Sequence, residues 1–204
     1  MEIVIIYASS DLVLYKEVKC EAIFLPHQRY ITLVDHNIQY PISNIQYPSM
    51  GLSGKLVSQI DIKCDGDVFH EIFRERPHHI SGMTPHNIQN CDLHEGQWGT
   101  VGSVIYWNYT HDGKEKVAKE IIEAIDEEKK SVTFKVIEGD LMELYKTFKL
   151  TVHVDTNGDD NLVTWTLEYE KLSEDVPDPH TLMEFCLNVT KDIEKHHVPH
   201  LHNQ

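Results

Sequence analysis

The sequence is poor in positive charge. Its 204 residues hold 18 Lys and Arg against 33 Asp and Glu, a net charge of −15 with histidine neutral. Gripping a phosphate backbone takes clustered Lys and Arg, and the chain has no basic stripe, which excludes nucleic acid as a partner. Also missing is any apolar run approaching the roughly 18–20 residues of a membrane span. The opening MEIVIIYASSDLVLYK has an apolar patch, but Asp11 interrupts it and no basic segment precedes it, so it does not read as a secretory signal. Cysteine is scarce: Cys20, Cys64, Cys91 and Cys186 lie far apart with no CxxC pair. They read as reduced thiols of a cytoplasmic protein, which leaves the sequons at Asn108 and Asn188 without meaning. The acidic charge predicts a self-repelling molecule, a monomer or weak dimer.

Familiar catalytic patterns are absent as well. The loop Glu95-Gly96-Gln97-Trp98-Gly99-Thr100-Val101-Gly102 is glycine-rich, yet no Lys follows its last glycine and a strand, not a helix, comes next. A nucleotide cradle is therefore excluded. No Ser/His/Asp or Cys/His set accompanies a nucleophile motif. Glu168 and Glu170, at strand spacing, point away from Trp165 and Tyr169 and read as a solvated face. Histidine is plentiful, and the terminal HHVPHLH could trap a metal adventitiously. A structural zinc site, however, needs fixed geometry and usually cysteine. No catalytic residue, metal ligand or cofactor is assigned.

What the chain does contain is alternation. Between Lys130 and Val154, Val132, Phe134 and Val136 share one face of a strand. After the Glu138-Gly139-Asp140 turn, Leu144, Phe148, Leu150, Val152 and Val154 share one face of the next. A period of two with β-branched and aromatic residues predicts a sheet buried on one side. Earlier strands are expected from Leu56 to Lys63, from Asn87 to Glu95, and through Val104, Tyr106 and Asn108. A later one carries Val163, Trp165, Leu167 and Tyr169 inward. Asp65 is placed to cap a helix bearing Val68, Phe69, Ile72 and Phe73, which Pro77 ends. The segment KEKVAKEIIEAIDEEKK fits a helical stripe or a strand with Val117, Ile121 and Ile125 on one face, and is assigned as a strand between its flanking turns. From Asp178 or Thr181 to His197 a final helix lays Leu182, Phe185, Cys186, Val189 and Ile193 along one stripe. Residues 1–49 read differently: NIQYP occurs at 37–41 and again at 44–48 without a regular period. They are expected to be a poorly ordered extension, with the folded domain over 50–198 and a tail at 199–204.

Several of these segments carry a family's wording: Met50-Gly51-Leu52-Ser53-Gly54-Lys55, Trp98-Gly99-Thr100-Val101-Gly102-Ser103, Asp112-Gly113-Lys114-Glu115-Lys116, Lys135 to Leu141, and Leu182-Met183 through Lys191-Asp192-Ile193. In this order they closely resemble the major latex protein group of plants, within the birch-pollen-allergen superfamily of hydrophobic-ligand carriers. The resemblance implies an α+β helix-grip fold: a curved seven-stranded antiparallel sheet around a long C-terminal helix, two short helices after the first strand, and a large internal cavity. It also implies a role in stress or defence. The cavity wall is expected to draw on Val104, Tyr106, Asn108, Val132, Phe134, Leu150, Val152, Val163, Trp165, Tyr169, Phe185 and Val189. Tyr106 and Tyr169 would orient a hydrophobic or amphiphilic partner such as a steroid, lipid or phenolic. The alternative is a cavity enzyme acting on a secondary metabolite. Superfamily defence proteins linked to ribonuclease activity have a glycine cluster where this chain has Gln97-Trp98.

Overall fold

In a computed structural model, the chain divides into two units, residues 1–50 and 51–204. The structure describes residues 52–157 and 160–197 and, in the first unit, six three-residue strands. These are β1 (Glu2–Val4), β2 (Tyr7–Ser9), β3 (Leu12–Leu14), β4 (Glu17–Lys19), β5 (Tyr30–Thr32) and β6 (Gln39–Pro41). They pair antiparallel as β1–β4, β2–β3 and β5–β6, the last taking in part of the first NIQYP copy. The expected order of 1–49 otherwise concerns residues outside the described ones, as does the tail at 199–204.

The second unit is built on alternation. Its strands are β7 (Ser53–Ile62), β8 (Ile88–Glu95), β9 (Val104–His111), β10 (Lys114–Asp126), β11 (Ser131–Gly139), β12 (Tyr145–Asn157) and β13 (Asp160–Lys171). They form one antiparallel sheet in the order β7-β13-β12-β11-β10-β9-β8, so the first strand pairs with the last. Register shifts interrupt β8–β9, β10–β11 and the start of β12–β13. Each extra residue bends its strand, and together they curve the sheet. In β10–β11 one extra residue is Ile137, and two residues on Gly139 takes φ 114°, where a Cβ would overlap the Val117 carbonyl oxygen. Next to it, Asp140 accepts from the Val117 N–H at 2.7 Å. Leu144, assigned by alternation to the buried face, instead lies just before β12 and is 45% exposed.

Helix α1 (Gly66–Glu75) starts where expected, because the Asp65 carboxylate accepts from the Asp67 and Val68 N–H groups at 2.8 and 3.3 Å. Phe69, Ile72 and Phe73 form its buried stripe. A 3-10 turn at Pro77–His79 and the short helix α2 (Ile80–Met83) carry the chain to β8. Helix α3 (His180–His197) begins directly after Pro179 and lays Leu182, Met183, Cys186, Val189 and Ile193 against the sheet. The loop before α3 is fastened at two points. Lys171, 4% exposed, donates to Asp178 at 2.9 Å, and the Tyr145 hydroxyl donates to the Pro177 carbonyl at 2.9 Å. Among the described residues no helix is long and apolar enough to cross a membrane.

Candidate functional site

The concave face of the sheet and α3 leave a cavity of about 80 Å³ between them. That is far less than the large cavity expected, and below the roughly 300–1,000 Å³ of a drug-sized ligand pocket. Big side chains account for the difference: Trp107, Phe134 and Trp165 project from the sheet, Phe73 from α1, and Leu182 and Phe185 from α3. The wall is otherwise aliphatic, with three polar groups on it: the Glu120 carboxyl, the Tyr109 hydroxyl and the Cys186 thiol.

Of the twelve residues expected at the wall, five line it: Phe134, Leu150, Trp165, Phe185 and Val189. Val132, Val152, Val163 and Tyr169 are buried but pack in the core away from the cavity. Tyr169 stacks on Phe148 with centroids 6.1 Å apart and meets Tyr145 edge-on at 5.6 Å. Its hydroxyl bonds to Asp178 and so is already engaged. The other three, Val104, Tyr106 and Asn108, are on the wrong face of β9, because Trp107 and Tyr109 are the residues that reach the cavity. Tyr106 cannot orient a ligand from there. The face of β10 is likewise reversed: Ala118, Glu120 and Ile122 are buried, while Val117 and Ile121 are only half-buried. Both strands carry apolar residues on both faces. On β10 the inward glutamate disguised the buried side. The combined apolar weight of Ile105, Trp107 and Tyr109 was the signal that would have oriented β9.

Glu120 is the residue that no pattern in the sequence singled out. It is 6% exposed, and Trp107 Nε1 donates to its Oε2 at 2.9 Å. Burial pushes its carboxyl up to about 7, partly opposed by that indole bond. The second indole on the wall is also committed, with Trp165 Nε1 donating to Thr190 Oγ1 at 2.9 Å. Burial likewise raises the Cys186 and Tyr109 groups, with Glu120 adding to both shifts. Among the described residues, no cluster of His, Cys, Asp and Glu could hold a metal.

Phe185 is also the partition between two spaces. One side of it faces the cavity, and the other faces a polar surface groove of about 260 Å³ edged by Asn87, Thr110, Asp112, Thr181 and Asn188. Its ring rests on Tyr109 at 5.6 Å and His111 at 5.9 Å. Thr181 Oγ1 shares a 3.0 Å hydrogen bond with His111 Nε2 and donates to Asp112 at 3.1 Å, closing the β9–β10 turn against the start of α3.

Comparison with known proteins agrees with this architecture. Residues 51–200 match the Pathogenesis-related protein Bet v 1 family. MLP-like protein 28 of Arabidopsis thaliana is 54% identical over 147 residues, 71% of this chain but 44% of that protein. The chain thus spans about half the length of some curated relatives it matches. MLP-like protein 31 of the same plant is 50% identical over 150 residues, 72% of this chain and 88% of that one. The crystal structure of ginseng major latex-like protein 151 from Panax ginseng is 62% identical, with a TM-score of 0.72 over 73% of this chain and 100% of that chain. Norcoclaurine synthase from Thalictrum flavum, at 19% identity, 72% of this chain, 88% of that chain and a TM-score of 0.60, shows likeness of fold alone. Sheet order, grip helix and sequence agree, and the chain belongs to the Bet v 1 family, among its major latex protein-like members.

Proposed function

We propose that the 51–200 unit binds a hydrophobic or amphiphilic small molecule between sheet and α3, as a cytoplasmic carrier in plant stress or defence. The observation that carries this reading is an apolar space between sheet and helix, with Phe185 bordering both it and a polar outside groove. A solid core needs neither. Burial of an apolar ligand there is driven by roughly 25 cal/mol per Å² removed from water. Even a one-ring compound needs the surrounding side chains to give, since benzene occupies a cavity of about 150 Å³ and this one is about 80 Å³. A steroid or long chain needs Phe185, Leu182 and their neighbours on α3 to swing outward. The three cysteines among the described residues are buried and free, which suits a reducing compartment, and the charge of −15 supports a monomer or weak dimer.

Native mass spectrometry of the full chain, before and after incubation with a plant lipid and phenolic extract, tests the reading. A discrete adduct is expected on the wild type. It should be lost in Ala118→Leu, which fills the cavity from β10 while leaving the hydrogen bonds of the site in place. An adduct retained by a folded Ala118→Leu protein would put the ligand elsewhere.

A further inference from the structure

A buried carboxyl facing an apolar cavity is costly to keep unless something uses it. Glu120 is such a group. It projects from the middle of β10, opposite Ile105 on β9 and beside the β10–β11 bulge at Ile137. Among the described residues one hydrogen bond reaches it, from Trp107 Nε1 to Oε2. Oε1 accepts no hydrogen bond among the described residues, and Glu120 is one of the residues that line the cavity.

The groups packed around Glu120 set what can meet that oxygen. Tyr109 on β9, Cys186 on α3 and Cys91 on β8 are close enough for its charge to raise their own ionisation. No Lys, Arg or His is on the wall. Both indole donors are spent inside the protein, one on Glu120 itself and one on Thr190. The wall thus carries one carboxyl group and no cation, its other polar groups being the neutral Tyr109 hydroxyl and Cys186 thiol. A ligand carboxylate would meet another carboxyl and no positive partner. A ligand hydroxyl would find one acceptor. A ligand amine finds that acceptor and an opposite charge.

We propose that the cavity selects small, one-ring apolar molecules bearing a basic nitrogen, and that Glu120 Oε1 is the anchor for their ammonium group. This rests on the reading that the cavity binds a small molecule, and it names the class. Binding involves no covalent step. A neutral amine entering beside a protonated Glu120 takes its proton, leaving an ammonium–carboxylate pair with Trp107 Nε1 still on Oε2. An amine entering as ammonium meets the carboxylate directly. Charge-assisted hydrogen bonds of this kind are roughly twice as strong as neutral ones and gain further in a low-dielectric cavity.

The test holds the apolar body constant and changes the head. Affinities of the full chain for 3-phenylpropylamine, 3-phenylpropanol, 3-phenylpropanoate and propylbenzene are measured by ligand-observed NMR at pH 7.5. The amine is expected to bind tightest, with the alcohol next and the acid at least about tenfold weaker than the amine. In Glu120→Gln, which can still accept from Trp107, the amine should weaken at least about tenfold while propylbenzene shifts less than about threefold. If the acid binds as well as the amine, the proposal is overturned; the same holds if the variant weakens the amine no more than propylbenzene. The wild-type ranking decides the matter even if the variant does not fold. Propylbenzene separates the two readings. Binding of propylbenzene without any head preference removes Glu120 as anchor but keeps the cavity, whereas failure of all four probes removes both.

Discussion

Glu120 and Asp178 show one residue type's chemistry pushed in opposite directions by two settings. Glu120 sits among apolar side chains, and burial raises its carboxyl from an ordinary 4.5 to about 7. The folded state therefore holds more protons than the unfolded one between those values. The contribution of Glu120 to stability falls as pH rises from about 4.5 to 7 and is constant beyond. Glu120→Gln removes that dependence. The stability of the variant relative to wild type should rise across the window by up to about 3 kcal/mol, at about 1.4 kcal/mol per pKa unit. Urea denaturation at pH 4.5 and pH 8 measures it. A difference that stays flat between the two would mean that Glu120 is solvated in the folded protein. None of this was legible in the sequence, where a glutamate among Lys and Ile residues looks like a solvent-facing position on either a helix or a strand.

At the scale of elements, the loop between β13 and α3 depends on the other acid. Asp178 is held below its ordinary 3.8 by hydrogen bonds from Lys171 and then Tyr169. Asp178→Ala strands the Lys171 ammonium, 4% exposed, without its partner. The loss should be about 2 kcal/mol, less than the roughly 3–5 of a fully buried pair because Asp178 itself is about a third exposed. The stabilisation is present above the unfolded carboxyl's value and is lost as pH falls through the folded one. The gap between variant and wild type should therefore close in acid, opposite in sense to Glu120, as thermal melts at pH 3 and 7 can check. Most elements could be read from the sequence because their physics is local. The Asp65 cap, the Pro77 stop and the alternation of β11 to β13 need no distant partner. The faces of β9 and β10 do, since apolar residues occupy both sides and a bulge at Ile137 shifts the register of β10 on β11. Pairing across the sheet, not propensity, decided which side turned inward. Seven of the twelve residues expected at the wall do not line the cavity, for the same kind of reason: a buried strand residue such as Val132 can touch core on every side.

Taken whole, the second unit is a sheet whose first and last strands pair, clasping a helix that carries one wall of an internal space. Cys186 is on that helix wall. It is 4% exposed and free, and burial pushes its thiol well above the ordinary range. Alkylating reagents react with thiolates they can reach, so Cys186 should react only in the moments when α3 lifts from the sheet. A cavity ligand that must leave before the helix can lift slows those moments by a factor of 1 + [L]/Kd. Iodoacetamide labelling, read peptide by peptide to separate Cys186 from the buried Cys64 and Cys91, should slow by that factor with an occupying ligand. An unchanged rate would mean that α3 opens with the cavity filled. The molecule thus carries its own clock: a thiol that is slow to react would mark an occupied cavity in a crude extract, before the occupant has been isolated.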